Sequence, residues 1–60
     1  MRFLKLRDVI QMTGISKTTI YRLMDAGLFP AQYCIGEKIV RWKEEEVQAW
    51  MERQPMKKAV

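Results

Sequence analysis

Ser16, Lys17, Thr18 and Thr19 are consecutive, and Tyr21 and Arg22 follow within one helical turn. These side chains make and break no bonds by themselves. Their hydroxyls donate and accept hydrogen bonds, and their cations attract anions. Arginine can bond a guanine edge bidentately, and threonine can bond a base edge or touch a thymine methyl. The free N–H groups of a helix start attract phosphate. Lys38 and Arg41 add two more cations on either side of an Ile39-Val40 pair. This is the chemistry of reading double-stranded DNA. The residues expected to face DNA are Ser16, Lys17, Thr18, Thr19, Tyr21, Arg22, Lys38 and Arg41.

Other chemistries find little support. The chain has no histidine, the commonest general base and metal ligand. Cys34 is the only cysteine, so neither an internal disulfide nor a multi-cysteine metal site can form. It is read as a small apolar strand residue. Glu44, Glu45 and Glu46 are consecutive and point in different directions on a helix, so they do not converge on one substrate. No glycine-rich phosphate loop is present. The expectation is a binding protein with no catalytic residue, metal or cofactor.

Sixty residues make one small domain, with roughly 60% of its unfolded surface buried. A net charge of +4 favours an anionic partner. No segment approaches the run of about 18 apolar residues that spans a bilayer. The charges in Met1–Asp8 interrupt any signal-peptide core. The cytoplasm, in association with the nucleoid, is the expected compartment.

The elements that must position these residues follow from spacing. Leu6, Val9, Ile10 and Thr13 recur at helical intervals, and Gly14 suits a helix end. This predicts a first helix over residues 6–13. Ser16 is a good N-cap, and Ile15 and Ile20 fit a hydrophobic staple. A second helix is expected from Lys17 to about Ala26, burying Ile20, Leu23 and Met24. Gly27 and Pro30 stop it. Only Gly14 and Ile15 intervene before that cap, a link short enough for a helix-turn-helix. Leu28 and Phe29 are expected to fold back over the core.

Tyr33-Cys34-Ile35 and Ile39-Val40-Arg41 are β-favouring runs around a Gly36-Glu37-Lys38 turn. Such a hairpin beside a helix-turn-helix is a wing. If Arg41 faces outward, Trp42 faces inward. Glu44–Glu46 suit the first turn of a third helix, with Val47, Trp50 and Met51 on its apolar stripe and Pro55 as its stop. Both tryptophans are read as core. The expected architecture is mainly α: a winged helix-turn-helix with three helices and a two-stranded β-hairpin wing. It occupies residues 1–54, followed by a flexible basic tail at 55–60.

Each DNA-facing assignment has a plainer alternative. Residues 16–22 could be an ordinary solvated, capped helix face. Tyr21 could pack over the core edge, and Thr19 could face the first helix. Lys38 could belong to a solvated turn, where the Glu37 carboxylate repels phosphate. The hydroxyl-rich helix start, the short turn and the following hairpin together favour DNA.

Leu6-Arg7-Asp8-Val9, Thr13 through Leu23, Gly27-Leu28-Phe29-Pro30, Arg41-Trp42 and Glu46 through Trp50 closely resemble the AlpA-type prophage regulators. These are small relatives of excisionases with a MerR-like winged helix-turn-helix. The likeness covers about Phe3 to Met51. It implies a protein of a prophage or integrated element that regulates transcription of the integrase gene. It also implies a second role, as a recombination directionality factor that helps the integrase excise the element. By this likeness residues 16–19, 21 and 22 face the major groove, and Lys38 and Arg41 belong to the wing. Ala31, Gln32 and Glu37 depart from the pattern, which often has proline and basic residues after Phe-Pro and a small or basic wing tip. The partners expected are double-stranded DNA, a cognate integrase and further copies of the chain on DNA. The rival from another class is a protein-interaction module, such as an inhibitor of a response regulator.

Overall fold

The structure, a computed structural model, describes residues 2–56; the end of the expected tail, residues 57–60, lies outside them. The chain runs β1 (Phe3–Leu4), α1 (Leu6–Thr13), α2 (Lys17–Asp25), β2 (Tyr33–Ile35), β3 (Ile39–Lys43) and α3 (Glu44–Glu52). The three helices and the hairpin are those expected from spacing. The N-terminal strand was not expected. It adds to the hairpin to give a three-stranded antiparallel sheet in the order β1-β3-β2. Phe3 pairs with Lys43 and Leu4 with Trp42.

Each helix ends for a local reason. At the start of α1 the Asp8 carboxylate accepts from the Lys5 backbone N–H at 3.0 Å. Gly14 ends the helix at φ 72°, a left-handed conformation that glycine adopts without a steric penalty, and its N–H bonds Ile10 C=O. At the start of α2, Ser16 Oγ accepts from the Thr19 N–H. At its end, Gly27 N–H bonds Met24 C=O and Leu28 N–H bonds Leu23 C=O. That pairing is the Schellman arrangement, and it closes the helix within one turn. In the hairpin, Ile35 pairs with Ile39, which leaves Gly36-Glu37-Lys38 as the turn.

The core is small and centred on β3. Trp42, Leu4, Ile20, Val9 and Val47 have no exposed surface, and Phe29 is also buried. They come from β3, β1, α2, α1, α3 and the loop after α2, so every element except β2 contributes one residue. The Trp42 indole N–H donates to Pro30 C=O at 3.2 Å and so ties that loop to the sheet. Trp42 faces inward, as the alternation along β3 requires.

Two core expectations need correction. Leu28 does not fold over the core; it is 61% exposed because the Schellman turn points it away. Trp50 is at the margin rather than inside. It stacks edge-to-face on Phe29 at 4.7 Å and donates its indole N–H to Leu28 C=O at 2.6 Å. Cys34 lies in a strand, as read from the sequence, and is exposed there on the edge strand β2.

Ser16→Ala is expected to destabilise the domain by about 1 kcal/mol, since the Thr19 N–H loses its acceptor. In a domain of this size that lowers Tm by roughly 4–8 °C. Thermal unfolding followed by circular dichroism reads the shift, and Ser16→Asp should recover most of it.

Candidate nucleic-acid interface

Helix α2 is anchored by one face and open on another. Ile20 is fully buried, and Leu23 and Met24 pack beside the core. Ser16, Lys17, Thr18, Thr19 and Arg22 are exposed. Helical side chains lean toward the N-terminus, so Arg22 reaches back over the turn that carries Thr18 and Thr19. The structure therefore brings five of the six expected helix residues onto one exposed surface at the start of α2.

Two of those five are already engaged. Ser16 Oγ lies 3.1 Å from Thr19 Oγ1 and donates to it. Ser16 thus uses its hydroxyl both as donor and as acceptor in the cap. Thr19 keeps its hydroxyl hydrogen available, whereas Ser16 is a positioning residue for the helix start. Lys17, Thr18 and Arg22 carry the readily available polar groups. The one ion pair among the described residues is Arg2 with Glu44, so Lys17, Arg22 and Lys38 face solvent without a carboxylate partner.

Tyr21 behaves differently. It is half-buried, and its ring lies 6.4 Å from that of Trp42 at 68°. Its ring belongs to the core edge, the alternative weighed for it from the sequence.

The hairpin places Lys38 at an exposed tip beside Glu37. Arg41 is on the outer face of β3, opposite the Trp42 side. Its Nη1 donates to Val40 C=O at 2.8 Å, which draws the guanidinium along its own strand. Lys38 is the freer of the two wing cations.

Sequence reasoning passed over a second cluster on the outer sheet face. Tyr33 pairs with Arg41 across the hairpin, and Lys43 Nζ lies 5.0 Å above the Tyr33 ring. Phe3 meets that ring edge-on at 5.8 Å. The Tyr33 hydroxyl donates to Glu46 Oε2 at 2.8 Å. The bond to the Glu46 carboxylate, with lesser help from burial, raises the tyrosine pKa above its ordinary value. Glu44 meanwhile pairs with Arg2 at 3.4 Å. The acidic first turn of α3 is thus partly bound into the sheet rather than free. The signal for β1 was the alternation of exposed Phe3 with buried Leu4, too short to read alone.

Charge is unevenly spread. Four of the seven acidic residues, Glu44, Glu45, Glu46 and Glu52, lie on α3, while α2 and the wing carry Lys17, Arg22, Lys38 and Arg41. Among the described residues no cluster of three or more histidine, cysteine or carboxylate side chains could hold a metal ion. No helix there is long and apolar enough to cross a membrane.

The family described as prophage CP4-57 regulatory protein (AlpA) matches residues 2–55. The chain belongs to the AlpA family. The matched span contains all six elements and every residue placed at the candidate interface. The chain is 46% identical over 50 residues to the uncharacterized protein ORF88 of Enterobacteria phage P4, covering 83% of this chain and 57% of that protein. It is 36% identical over 56 residues to the DNA-binding transcriptional activator AlpA of Escherichia coli strain K12, covering 83% of this chain and 80% of the relative. The chain therefore spans little more than half the length of the phage P4 protein. No solved structure matches it. Membership of the AlpA family agrees with a winged helix-turn-helix built from three helices and a hairpin.

Proposed function

We propose that this AlpA-family chain binds double-stranded DNA in a sequence-specific manner and regulates transcription on a prophage or integrative element. The observation that carries this reading is the start of α2. There, Lys17, Thr18, Thr19 and Arg22 stand exposed on a helix whose opposite face is locked into the core. A helix presented this way can enter the major groove and read bases from its N-terminal half. The wing supplies Lys38 for the backbone or minor groove, with Arg41 behind it. Tyr21 contributes through its ring edge while supporting Trp42. The relative described as a DNA-binding transcriptional activator supports the same reading.

The finer role is regulation of an integrase gene, with excision of the element as a second action. A single module of this kind buries only about 600–1,000 Å² on DNA. Sites that combine several adjacent repeats supply the missing specificity. In the excision role the chain bends DNA so that an integrase bridges distant sites, and flexible base steps then enter the specificity.

Lys38→Ala tests the wing. Loss of one phosphate contact is expected to weaken specific and random DNA about equally and to lower the slope of log K against log salt by roughly one unit. Gel-shift titrations at several salt concentrations measure this. An unchanged slope would remove Lys38 from the interface. Affinity that is nearly independent of salt would point instead to a protein-interaction module.

A further inference from the structure

An open groove runs between the loop after α2 and helix α3, at the end of α2 opposite the proposed DNA-reading start. Leu28, Gln32, Glu45, Ala49, Trp50 and Arg53 line it. Leu28 is 61% exposed there, although it is a large apolar residue. The groove thus offers apolar surface that the single chain does not use.

We infer that this groove takes the α3 helix of a second copy, packed antiparallel about a two-fold axis near Ala49. The reason is the order of charges along α3. Glu45, Ala49 and Arg53, the C-cap of α3, fall at i, i+4 and i+8, so they form one stripe on the helix surface. The acid and the base lie equally far from a small central residue, about 12 Å apart along the axis. Turning such a stripe end for end sets each Glu45 against the partner's Arg53 and brings the two alanines together, where small side chains permit close approach. A two-fold interface must be self-complementary in this way. In α1 the opposite charges, Arg7 and Asp8, are adjacent, and although α2 repeats the spacing with Lys17 and Asp25, its central residue is the large Tyr21, whose ring packs on Trp42. Leu28 and Trp50 flank the contact.

The pairing is weak by construction. Stable protein interfaces bury about 800 Å² on each partner. One face of a nine-residue helix and a short loop supply less than that from a total surface of 4972 Å². The dimer therefore forms at high concentration, or where two chains sit on neighbouring DNA sites. The inference deepens the DNA-binding reading by naming one partner of the bound chain, and its test runs without DNA.

Sedimentation equilibrium of the full chain over a wide concentration range at low salt reads the monomer–dimer constant. The wild type is expected to dimerise reversibly. Glu45→Arg and Arg53→Glu should each weaken the dimer roughly ten-fold or more, since each turns both symmetry-related ion pairs into repulsions. The double variant, Glu45→Arg with Arg53→Glu, should restore it, because both partners are reversed together. Ala49→Glu should abolish it by placing two carboxylates on the axis without altering the helix ends. Circular dichroism confirms that each variant is folded. A wild type that stays monomeric at all concentrations overturns the pairing and leaves the groove to a different protein. So does a double variant no better than the singles. Binding to a single DNA site, measured in parallel, is unaffected by either result.

Discussion

Replacing Trp42 with alanine is expected to cost more stability than any other truncation in this core. Trp42 is the largest fully buried side chain and sits at the centre of the sheet. It packs against Tyr21 from α2, pairs with Leu4 from β1 and ties Pro30 C=O to the sheet. Truncating a buried aromatic residue costs about 3–5 kcal/mol. The orphaned Pro30 carbonyl is reached by water once the ring is gone, so cavity formation dominates the loss. A domain this short has a total stability on the order of 3–9 kcal/mol. The substitution therefore removes between about a third and all of it. Near-ultraviolet circular dichroism and a urea titration measure the effect. A native spectrum with a midpoint close to wild type would show that Trp42 is not the keystone of the core. Val47→Ala, which removes less volume from the same cluster, should fall between the two.

Arg22→Ala is expected to carry the largest loss on the DNA side without unfolding the chain. Arg22 is exposed and has no carboxylate partner among the described residues, so its removal leaves the core intact. If its guanidinium bonds a guanine edge, the specific site loses about 1–3 kcal/mol, or roughly 5- to 150-fold in affinity. Random DNA loses only the share due to one charge. The ratio of specific to random affinity, measured by competition gel shift at one fixed salt concentration, separates base reading from phosphate contact. An equal loss on both would make Arg22 a backbone contact and shift base reading onto Lys17, Thr18 and Thr19. Arg22→Lys should recover the phosphate share alone, because an ammonium lacks the planar fork.

Much of this fold was legible in the sequence because its boundaries are set by local chemistry. Gly14 and Gly27 both take the left-handed conformation that ends α1 and α2, and Ser16 caps α2 as its hydroxyl suggests. The inward turn of Trp42 followed from strand alternation alone. What escaped was non-local. Phe3–Leu4 becomes a strand only because β3 extends through Lys43 and offers an unpaired edge. No two-residue segment announces such a pairing. Leu28 looked like a core residue by type, yet the closing turn of α2 directs it outward.

The candidate site divides the same way. Exposure of Lys17, Thr18, Thr19, Arg22 and Lys38 was readable from the face opposite Ile20 and from the glycine turn. The engagement of Ser16 with Thr19, the packing of Tyr21 on Trp42 and the draw of Arg41 along its own strand were not. Each depends on a neighbour's position to within an ångström. The effect is to leave fewer side chains free at the proposed interface than the sequence suggests. The Tyr33 cluster was invisible because its members, Phe3, Tyr33, Lys43 and Glu46, come from four different elements.

Footprinting the purified chain at two salt concentrations, on the DNA upstream of its own gene and across the neighbouring attachment site, tests DNA recognition most directly. Discrete protected repeats that fade steeply as salt rises are the expected result. Repeats beside the attachment core would favour excision, and repeats confined to a promoter would favour transcriptional control. A folded protein that protects neither region at either salt concentration would contradict the assignment of α2 as a DNA-reading helix.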